Sequence, residues 1–192
     1  MNETEIYLVR HAHSTYTSDE YGRELSQKGR EDQERLTNVM KNVTIDAVLS
    51  SPYMRAVQTV QGIADNNDLD IQLIEEFKER ILAQEPVDDF NKAIETVWGD
   101  ETVQLPGGES NEIARLRGVH AFKKVLQTYR GKSVVIGTHG NLMVLMMSYY
   151  DSQYDVSFWR ELDMPDVYQL SFVGDTLRAV NRIWDREKKE DE

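Results

Sequence analysis

The stretch Ile6-Tyr7-Leu8-Val9-Arg10-His11 joins a short apolar run directly to two basic side chains. A run of this length with β-branched and aromatic members predicts a buried β-strand. Ligands of open α/β sheets bind just beyond the carboxyl ends of the strands, which is where Arg10 and His11 would lie. An arginine there can bind a phosphate or a carboxylate, and a histidine can act as a nucleophile or carry a proton. Because an Arg-His pair is common by chance, its meaning depends on partners elsewhere in the chain.

Strand and helix patterns alternate along the rest of the chain, and this alternation predicts the α/β class. We expect a three-layer α/β/α sandwich in which helices cover both faces of a mostly parallel sheet. A late strand is expected to run antiparallel, because Gly174-Asp175 predicts a hairpin turn. The further strands are expected at residues 45–49, 71–74, 133–137, 167–173 and 177–183. The helices are expected at residues 26–41, 52–64, 87–98, 110–130 and 142–149.

Two of these helices carry specific expectations about their starts and their buried faces. Pro52 follows two serines, so we expect it at the first helical position, after a serine cap. Met54 in the same helix is expected to face the core. The helix after Ser110 carries five apolar residues at helical spacing, which indicates one apolar face: Ile113, Leu116, Val119, Phe122 and Leu126.

Size and composition predict one globular domain. The chain has 192 residues, of which 40% are hydrophobic and 29% charged, which is enough for a sizeable core. We expect a domain at residues 1–184 and a charged tail at residues 185–192. Residues 81–109 have an irregular pattern with several chain breakers, so this segment is interpreted as a lid insertion. The chain has no cysteine, which excludes a cysteine nucleophile and a thiolate metal site.

The net charge of −12 argues against general binding to nucleic acid or to anionic membranes, and we expect neither partner. It does not exclude a local anion site, because the Debye length is about 8 Å at physiological salt. Two or three basic groups at short range therefore outweigh distant surface acids. The sequence shows no apolar stretch of membrane-spanning length and no signal-peptide pattern, so a cytoplasmic location is expected. The oligomeric state is left open.

Two more strand ends supply partners for Arg10 and His11. The expected helix after the second strand carries Arg55 one turn in, and the strand at residues 133–137 leads into Thr138-His139-Gly140. The carboxyl ends of parallel strands meet at one edge of a sheet, so two arginines and two histidines would converge on one anion. Helices that start after Ser51 and after Gly140 would add backbone N–H donors and positive dipole ends, and Gly140 is expected among the residues that bind the substrate.

The sequence resembles the histidine phosphatase superfamily, also called the phosphoglycerate-mutase-like family. The resemblance runs from about residue 5 to residue 183 in consistent order. It is carried by five segments: Leu8-Val9-Arg10-His11, Leu25-Ser26-Gln27-Lys28-Gly29, Ser50-Ser51-Pro52-Tyr53-Met54-Arg55-Ala56-Val57-Gln58-Thr59, Pro106-Gly107-Gly108-Glu109-Ser110 and Thr138-His139-Gly140.

The resemblance implies a phosphomonoesterase of the histidine acid phosphatase type that forms a phosphohistidine on His11. Arg10, Arg55 and His139 would bind the phosphoryl oxygens and stabilise the charge of the transition state. Glu79 is the best match to the glutamate that the family places after the third strand, and it would protonate the leaving oxygen. Water would then hydrolyse the phosphohistidine, with no metal and no other cofactor. The expected partner is a small phosphorylated metabolite.

The sequence departs from the family pattern beside these residues. Ala12-His13-Ser14 follows the histidine where the family usually has Gly-Glu/Gln-Ser/Thr. Thr17 stands where many members carry a phosphate-binding asparagine, and its hydroxyl is expected to serve as a weaker phosphate ligand. Arg80–Glu85 replaces the usual Phe-Gly-x-Trp-Glu-Gly segment, so Glu76 and Glu85 are kept as alternative acids.

The composition of residues 81–109 favours a phosphatase over a mutase. A mutase has to exclude water and retain a bisphosphate, which requires a closed and basic lid. Lys92 is the basic residue of this segment, against seven acids: Glu85, Asp88, Asp89, Glu95, Asp100, Glu101 and Glu109. Apolar contacts to the leaving group, or simple packing, are expected of four residues: Tyr53, Phe90, Trp98 and Leu105.

Two other functions remain as alternatives. The departures at His13 and Thr17 are compatible with a catalytically impaired phosphate-binding protein of the same fold. The two histidines of His11-Ala12-His13, with Asp19 and Glu20 nearby, are compatible with a metallohydrolase, although no further ligand follows at the usual spacing. Turnover of p-nitrophenyl phosphate would argue against the impaired phosphate-binding protein. Loss of activity in EDTA would indicate the metallohydrolase.

Overall fold

A six-stranded sheet forms the centre of the computed structural model, which describes residues 3–185. In chain order the strands are β1 Thr4–Arg10, β2 Ala47–Ser50, β3 Ile71–Leu73, β4 Ser133–Thr138, β5 Asp166–Val173 and β6 Thr176–Arg182. They lie side by side in the order β3-β2-β4-β1-β5-β6. The first four are parallel, whereas β5 runs antiparallel to β1 and β6 antiparallel to β5. The mostly parallel sheet and the late hairpin predicted from the sequence are confirmed.

Helices cover both faces of this sheet. They are α1 Gln27–Met40, α2 Met54–Asn66, α3 Phe90–Gly99, α4 Asn111–Thr128, α5 Gly140–Tyr150 and α6 Val156–Glu161, and a 3-10 turn spans Glu75–Phe77. Side chains alternate between the two faces of a strand, so Ile6 and Leu8 face one side of the sheet and Tyr7 and Val9 the other. The first pair packs with α4 and α5, and the second with α1 and α2. The three-layer α/β/α architecture is therefore confirmed.

The start of α2 differs from the expectation. Pro52 lies in the turn before the helix, which begins at Met54 and has Tyr53 at its N-cap without a side-chain bond. The Ser51 hydroxyl does not cap the helix, because it accepts the backbone N–H of Tyr53 and contacts His139 instead. Met54 is exposed, so the expectation that it faces the core was wrong.

The expected apolar face of α4 is buried at Val119, Phe122 and Leu126 but not in the first half of the helix. Ile113 and Leu116 are 47% and 58% exposed. The helix packs closely on α5 through small residues, since a Cβ added to Gly118 would lie 3.0 Å from Leu142 and from Met146. Ala114 and Gly118 therefore replace the longer side chains at the first part of the contact. Hydrophobicity at helical spacing does not identify such a close contact.

α3 and α6 also differ from the helices predicted from the sequence. α3 begins three residues later than expected because Asp89 caps it by accepting the N–H of Lys92. α6, capped by Asp155, was not expected. Within the described residues, no helix combines the length and the apolar character needed to cross a membrane. Of the predicted charged tail, residues 186–192 lie outside the described part of the chain, and the assignments of the domain and the lid stay predictions.

Candidate active site

The candidate site lies at the carboxyl ends of β1, β2 and β4. These strands are neighbours in the sheet, and their registers place Arg10 beside Thr138 and Ser50 beside Gly137. The residues that follow therefore emerge at one edge. The structure brings together the rings of His11 and His139, whose centroids are 5.2 Å apart.

His11 is a buried, neutral imidazole whose proton position is fixed by the backbone. Its Nδ1 lies 2.7 Å from the carbonyl oxygen of Ala12. Because a carbonyl only accepts, Nδ1 carries the ring proton and Nε2 keeps its lone pair. Burial, together with the charges of Arg55, Arg10 and Arg23, lowers the pKa of His11 to about 3, although the carbonyl bond opposes this shift. The side chain can therefore act as a nucleophile at neutral pH.

Two of the sequence motifs hold the backbone around His11. The N–H of Ala12 donates to the Thr59 hydroxyl at 2.9 Å, and that hydroxyl donates to the carbonyl of Arg55. The N–H of Ser26 donates to the carbonyl of His13 at 3.0 Å. A Cβ added to Gly29 would lie only 2.0 Å from the same carbonyl oxygen, so α1 approaches this strand end closely because position 29 has no side chain.

Arg10 is held by the segment that precedes β5. Its Nη1 donates to the carbonyls of Leu162 and Asp163, at 3.3 and 3.2 Å. Its guanidinium also packs on Gly140, where a Cβ would lie 2.9 Å from Nε. Burial lowers the pKa of Arg10 from its usual value, and nearby carboxylates, Glu79 first, oppose the shift. The buried Nε has no hydrogen-bond partner within residues 3–185, so it remains available to a bound anion.

Arg55 lies on the first turn of α2 and is 3% exposed. Its Nη1 donates to the backbone carbonyl of Glu20 at 2.9 Å, and its Nη2 pairs with the carboxylate of Glu20 at 3.1 Å. The other oxygen of that carboxylate pairs with Arg23. Glu20 thus bridges two guanidiniums whose charges act on His11. A carboxylate in this position is the kind of group that a phosphoryl oxygen would replace.

Sequence reasoning missed Arg23 as a site residue and considered Glu20 only as a metal ligand. Both belong to the polar loop between β1 and α1, and neither stands in a motif used for the assignment. The charges of three arginines therefore act on His11, where the sequence predicted two.

His139 is completely buried at the N-cap of α5. Burial lowers its pKa well below the usual value, and the charges of nearby groups add to the effect. Its Nε2 lies 2.8 Å from the Ser51 hydroxyl, which already accepts the N–H of Tyr53 and can donate its own proton to Nε2. The ring proton then lies on Nδ1, which has no partner among the described residues and can donate to a phosphoryl oxygen.

Glu79 lies between the 3-10 turn and the start of α5. Its carboxylate accepts three backbone N–H groups, from Arg80 at 2.8 Å, Leu142 at 3.0 Å and Asn141 at 3.1 Å. Its charge acts on both Arg10 and Arg55, so the structure brings this carboxylate to the same cluster.

Other candidates lie farther from this cluster. Thr17 is exposed and its hydroxyl donates to the carbonyl of Asp19, so the structure does not bring it to the arginines. His13 is exposed and contacts the Ser26 hydroxyl. Glu76 is exposed and contributes its backbone carbonyl to Arg117, whereas Glu85 lies on the wall of the adjacent cavity.

That cavity, of about 590 Å³, opens next to the cluster and shares Glu20, Tyr53 and Glu79 with it. Of the residues expected to contact a leaving group, Tyr53 and Phe90 line it. Trp98 instead packs on the core and donates to Asn141, and Leu105 lines a separate cavity of about 260 Å³. The complete wall consists of Tyr16, Ser18, Glu20, Tyr53, Glu79, Arg80, Ile81, Leu82, Ala83, Gln84, Glu85, Pro86, Val87 and Phe90.

The described residues 3–185 contain no group of three or more His, Cys, Asp or Glu side chains that could hold a metal ion. The arrangement instead offers a neutral imidazole with a lone pair, arginines on its flanks and a second buried histidine. These groups can perform nucleophilic attack on phosphorus and stabilise the charge that develops on its oxygens.

Solved structures of other proteins share this fold. The chain superposes on a mycobacterial glucosyl-3-phosphoglycerate phosphatase with a TM-score of 0.74 and 18% identity, covering 94% of this chain and 97% of that one. For Bacillus stearothermophilus YhfR the TM-score is 0.73 and the identity 21%, and the match covers 91% of this chain and 94% of that one. For a phosphoglycerate mutase from Bacillus anthracis the TM-score is 0.74 and the identity 16%, and the match covers 92% of this chain and 91% of that one. These likenesses show the fold.

A search of curated proteins found no match. The sequence profile described as the histidine phosphatase superfamily (branch 1) matches residues 6–182, which is nearly the whole chain. The chain therefore belongs to the histidine phosphatase superfamily.

Proposed function

We propose that this protein hydrolyses phosphomonoesters, without a metal, through a phosphohistidine formed on His11. The observation that carries the proposal is the state of the His11 ring. Its Nδ1 proton is held by the Ala12 carbonyl, its Nε2 lone pair is available, and its lowered pKa keeps it neutral. The charges of three arginines act on this ring, which suits attack on an anionic phosphoryl group.

The proposed reaction has two displacements at phosphorus. In the first, Nε2 of His11 bonds to phosphorus, and the P–O bond to the alcohol breaks as Glu79 protonates the leaving oxygen. In the second, water attacks phosphorus, the P–N bond breaks, and Glu79 takes up the proton of the water. Arg10, Arg55 and His139 hold the phosphoryl oxygens in both steps, with Gly140 allowing Arg10 to approach. The products are the free alcohol and inorganic phosphate.

Hydrolysis is favoured over mutase chemistry by the charge of the cavity wall. A mutase retains a bisphosphate, which needs a second basic group near the first phosphate site. Among the described residues that line the cavity, Arg80 is the basic one, and its Nη1 is bound to Asn111 at 2.7 Å. Three glutamates, Glu20, Glu79 and Glu85, lie on the same wall. This composition supports release of the phosphoryl group to water.

Steady-state turnover of p-nitrophenyl phosphate tests the proposal. The wild-type protein should hydrolyse it in the presence of EDTA and be inhibited by vanadate. His11→Ala should lower kcat by at least about a thousandfold, whereas His120→Ala, which removes an exposed histidine of α4, should leave it unchanged. If wild type shows no turnover while His11→Ala binds phosphate equally well, the protein is the impaired phosphate-binding relative. Loss of activity in EDTA would favour the metallohydrolase.

The role of Glu79 gives a separate prediction. A proton donor matters most when the leaving alcohol is weakly acidic, and little when it is as acidic as p-nitrophenol. Glu79→Gln should therefore slow hydrolysis of an alkyl phosphate far more than hydrolysis of p-nitrophenyl phosphate, as measured by kcat on the two esters. Equal losses on both would remove Glu79 from the role of acid, and Glu85→Gln would then be compared in the same way.

A small phosphorylated metabolite as the substrate and a cytoplasmic location remain part of this proposal. Binding of nucleic acid or of membranes is not expected. A panel of phosphorylated metabolites, with His11→Ala as the control, would identify the natural substrate.

A further inference from the structure

We propose that the substrate is the phosphomonoester of an apolar or aromatic alcohol that carries no second anionic group. This inference rests on the proposed function and concerns the half of the substrate that leaves. It follows from the cavity of about 590 Å³ whose wall includes Glu20 and Glu79 of the candidate site. Its size lies within the range of small-molecule sites, which is roughly 300–1,000 Å³.

The wall of the cavity offers apolar surface on two sides. Tyr16, from the loop after β1, is 76% exposed, and Phe90, at the start of α3, is 53% exposed. Between them, the segment before α3 contributes a run of apolar side chains: Ile81, Leu82, Ala83, Pro86 and Val87. Large exposed rings at the mouth of a cavity gain free energy when an apolar group covers them. A glycerol moiety, which has few apolar atoms, would cover little of this surface.

The charges of the wall disfavour a second anion. Glu85 is exposed on the wall, and Glu20 and Glu79 lie nearer to the phosphoryl site. Among the described lining residues, the guanidinium of Arg80 is the basic group, but it is 5% exposed and bound to Asn111. A carboxylate or second phosphate on the leaving group would meet three carboxylates on this wall, against one guanidinium that is buried and bound to Asn111.

The arginines near His11 do not change the balance of charge that a second anion on the leaving group would meet. Arg10 and Arg55 are required for the phosphoryl group itself. Arg23 is paired with one oxygen of Glu20, and Arg55 with the other. When a phosphoryl group takes the place of Glu20 on Arg55, the contact between Glu20 and Arg23 is retained. The Glu20 carboxylate therefore continues to offset the charge of Arg23 toward a second anion.

The acids of residues 81–109 differ in whether they have a partner elsewhere or line the cavity. Glu95, Glu101 and Glu109 pair with arginines: Arg160, Arg115 and Arg117. Asp89 caps α3, and the side chain of Asp100 accepts from Thr102. Glu85 is the acid of this segment that lines the cavity, so it is the residue expected to select against anionic leaving groups.

Three esters of primary alcohols test the inference while keeping the leaving-group chemistry similar: 2-phenylethyl phosphate, glycerol 3-phosphate and 3-phosphoglycerate. We expect kcat/KM to be about tenfold higher for 2-phenylethyl phosphate than for glycerol 3-phosphate, and about tenfold lower again for 3-phosphoglycerate. Equal values for the first two, or a preference for 3-phosphoglycerate, would overturn the inference.

Two variants connect these preferences to residues. Phe90→Ala should lower the ratio of kcat/KM for 2-phenylethyl phosphate over glycerol 3-phosphate, whereas Leu116→Ala, on an exposed apolar residue of α4, should not change it. Glu85→Gln should raise the relative kcat/KM for 3-phosphoglycerate, whereas Asp88→Asn removes a nearby charge off the cavity wall and should not. Ratios that do not respond to Phe90→Ala and Glu85→Gln would contradict the assignment.

Different results would contradict the inferred substrate class and the proposed phosphatase activity. If the protein hydrolyses the three esters through His11 without the expected preference, the inference about the substrate falls and the proposed phosphatase stands. If none of the esters and no p-nitrophenyl phosphate is hydrolysed, the proposed function itself falls, and the inference falls with it.

Discussion

At the scale of single residues, the contact between Glu20 and two arginines has a direct kinetic consequence. The Glu20 carboxylate pairs with Arg55 and Arg23, so a phosphoryl group has to displace it from Arg55. Glu20 is half exposed, which limits the strength of this competition to about 1 kcal/mol, or roughly fivefold in affinity.

Glu20→Gln should therefore lower KM for p-nitrophenyl phosphate by roughly fivefold with little change in kcat, because the competing charge is removed while both arginines remain. Glu24→Gln is the matched control, since Glu24 lies in the same loop and binds Gln58. Its KM should stay at the wild-type value. A KM that rises in Glu20→Gln would mean that Glu20 positions Arg55 for binding and does not compete with the phosphoryl group.

The residues of the site divide by how visible they are in the sequence. Arg10, His11, Arg55 and His139 were predictable because each follows or lies near the end of an apolar run that reads as a strand. Arg23 was not, because it reaches the site through the path of a polar loop, and loop paths depend on tertiary contacts. Thr17 shows the converse, since its position in the motif matched but the loop leaves it exposed.

At the scale of elements, α1 is fixed against the strand end that carries His11. The contact depends on Gly29, where a Cβ would lie 2.0 Å from the carbonyl oxygen of His13. Backbone on the opposite side cannot move away as a flexible side chain would, so a methyl group here has to displace either the helix or the segment after His11.

Gly29→Ala should therefore lower the free energy of unfolding by about 2 kcal/mol and also reduce kcat. Thermal or urea unfolding and the rate with p-nitrophenyl phosphate would measure the two effects. Gly99→Ala provides the control, because a Cβ at Gly99 meets nothing within 4 Å. A fully stable and active Gly29→Ala would show that the close approach of α1 is not needed.

Helices and strands were largely predictable, and the exceptions have local causes. The long apolar runs gave the sheet, and Ser26 and Ser110 cap the helices that follow them, as expected. The predicted start of α2 was wrong because the hydroxyl of Ser51 contacts His139 and does not cap the helix. A cap motif in the sequence does not reveal that its side chain has a competing partner across the sheet.

At the scale of the whole molecule, the buried imidazole of His11 links stability to pH. The pKa is about 3 in the folded protein, mainly because of burial, and about 6.5 in an unfolded chain. Between these values the unfolded state binds a proton that the folded state does not. The free energy of unfolding therefore falls as the pH drops below 6.5, and the loss due to His11 is about 2 kcal/mol at pH 5.

His11→Asn, which cannot titrate, should remove this contribution. We expect the decrease in the free energy of unfolding from pH 7.5 to pH 5, measured with urea, to be about 2 kcal/mol smaller in His11→Asn than in wild type. Because all other titrating groups are common to the two proteins, the comparison isolates His11. Identical decreases would mean that His11 titrates normally in the folded state.

The proposed function requires that His11 becomes covalently phosphorylated during turnover. The most direct measurement is to mix the protein with ³²P-labelled phosphomonoester, quench at high pH within milliseconds, and locate the label by mass spectrometry. The account predicts an acid-labile, base-stable phosphoryl group on His11 that is absent from His11→Ala and disappears as substrate is exhausted. Hydrolysis by the wild-type protein with no phosphoryl group on His11, or with one on another residue, would contradict it.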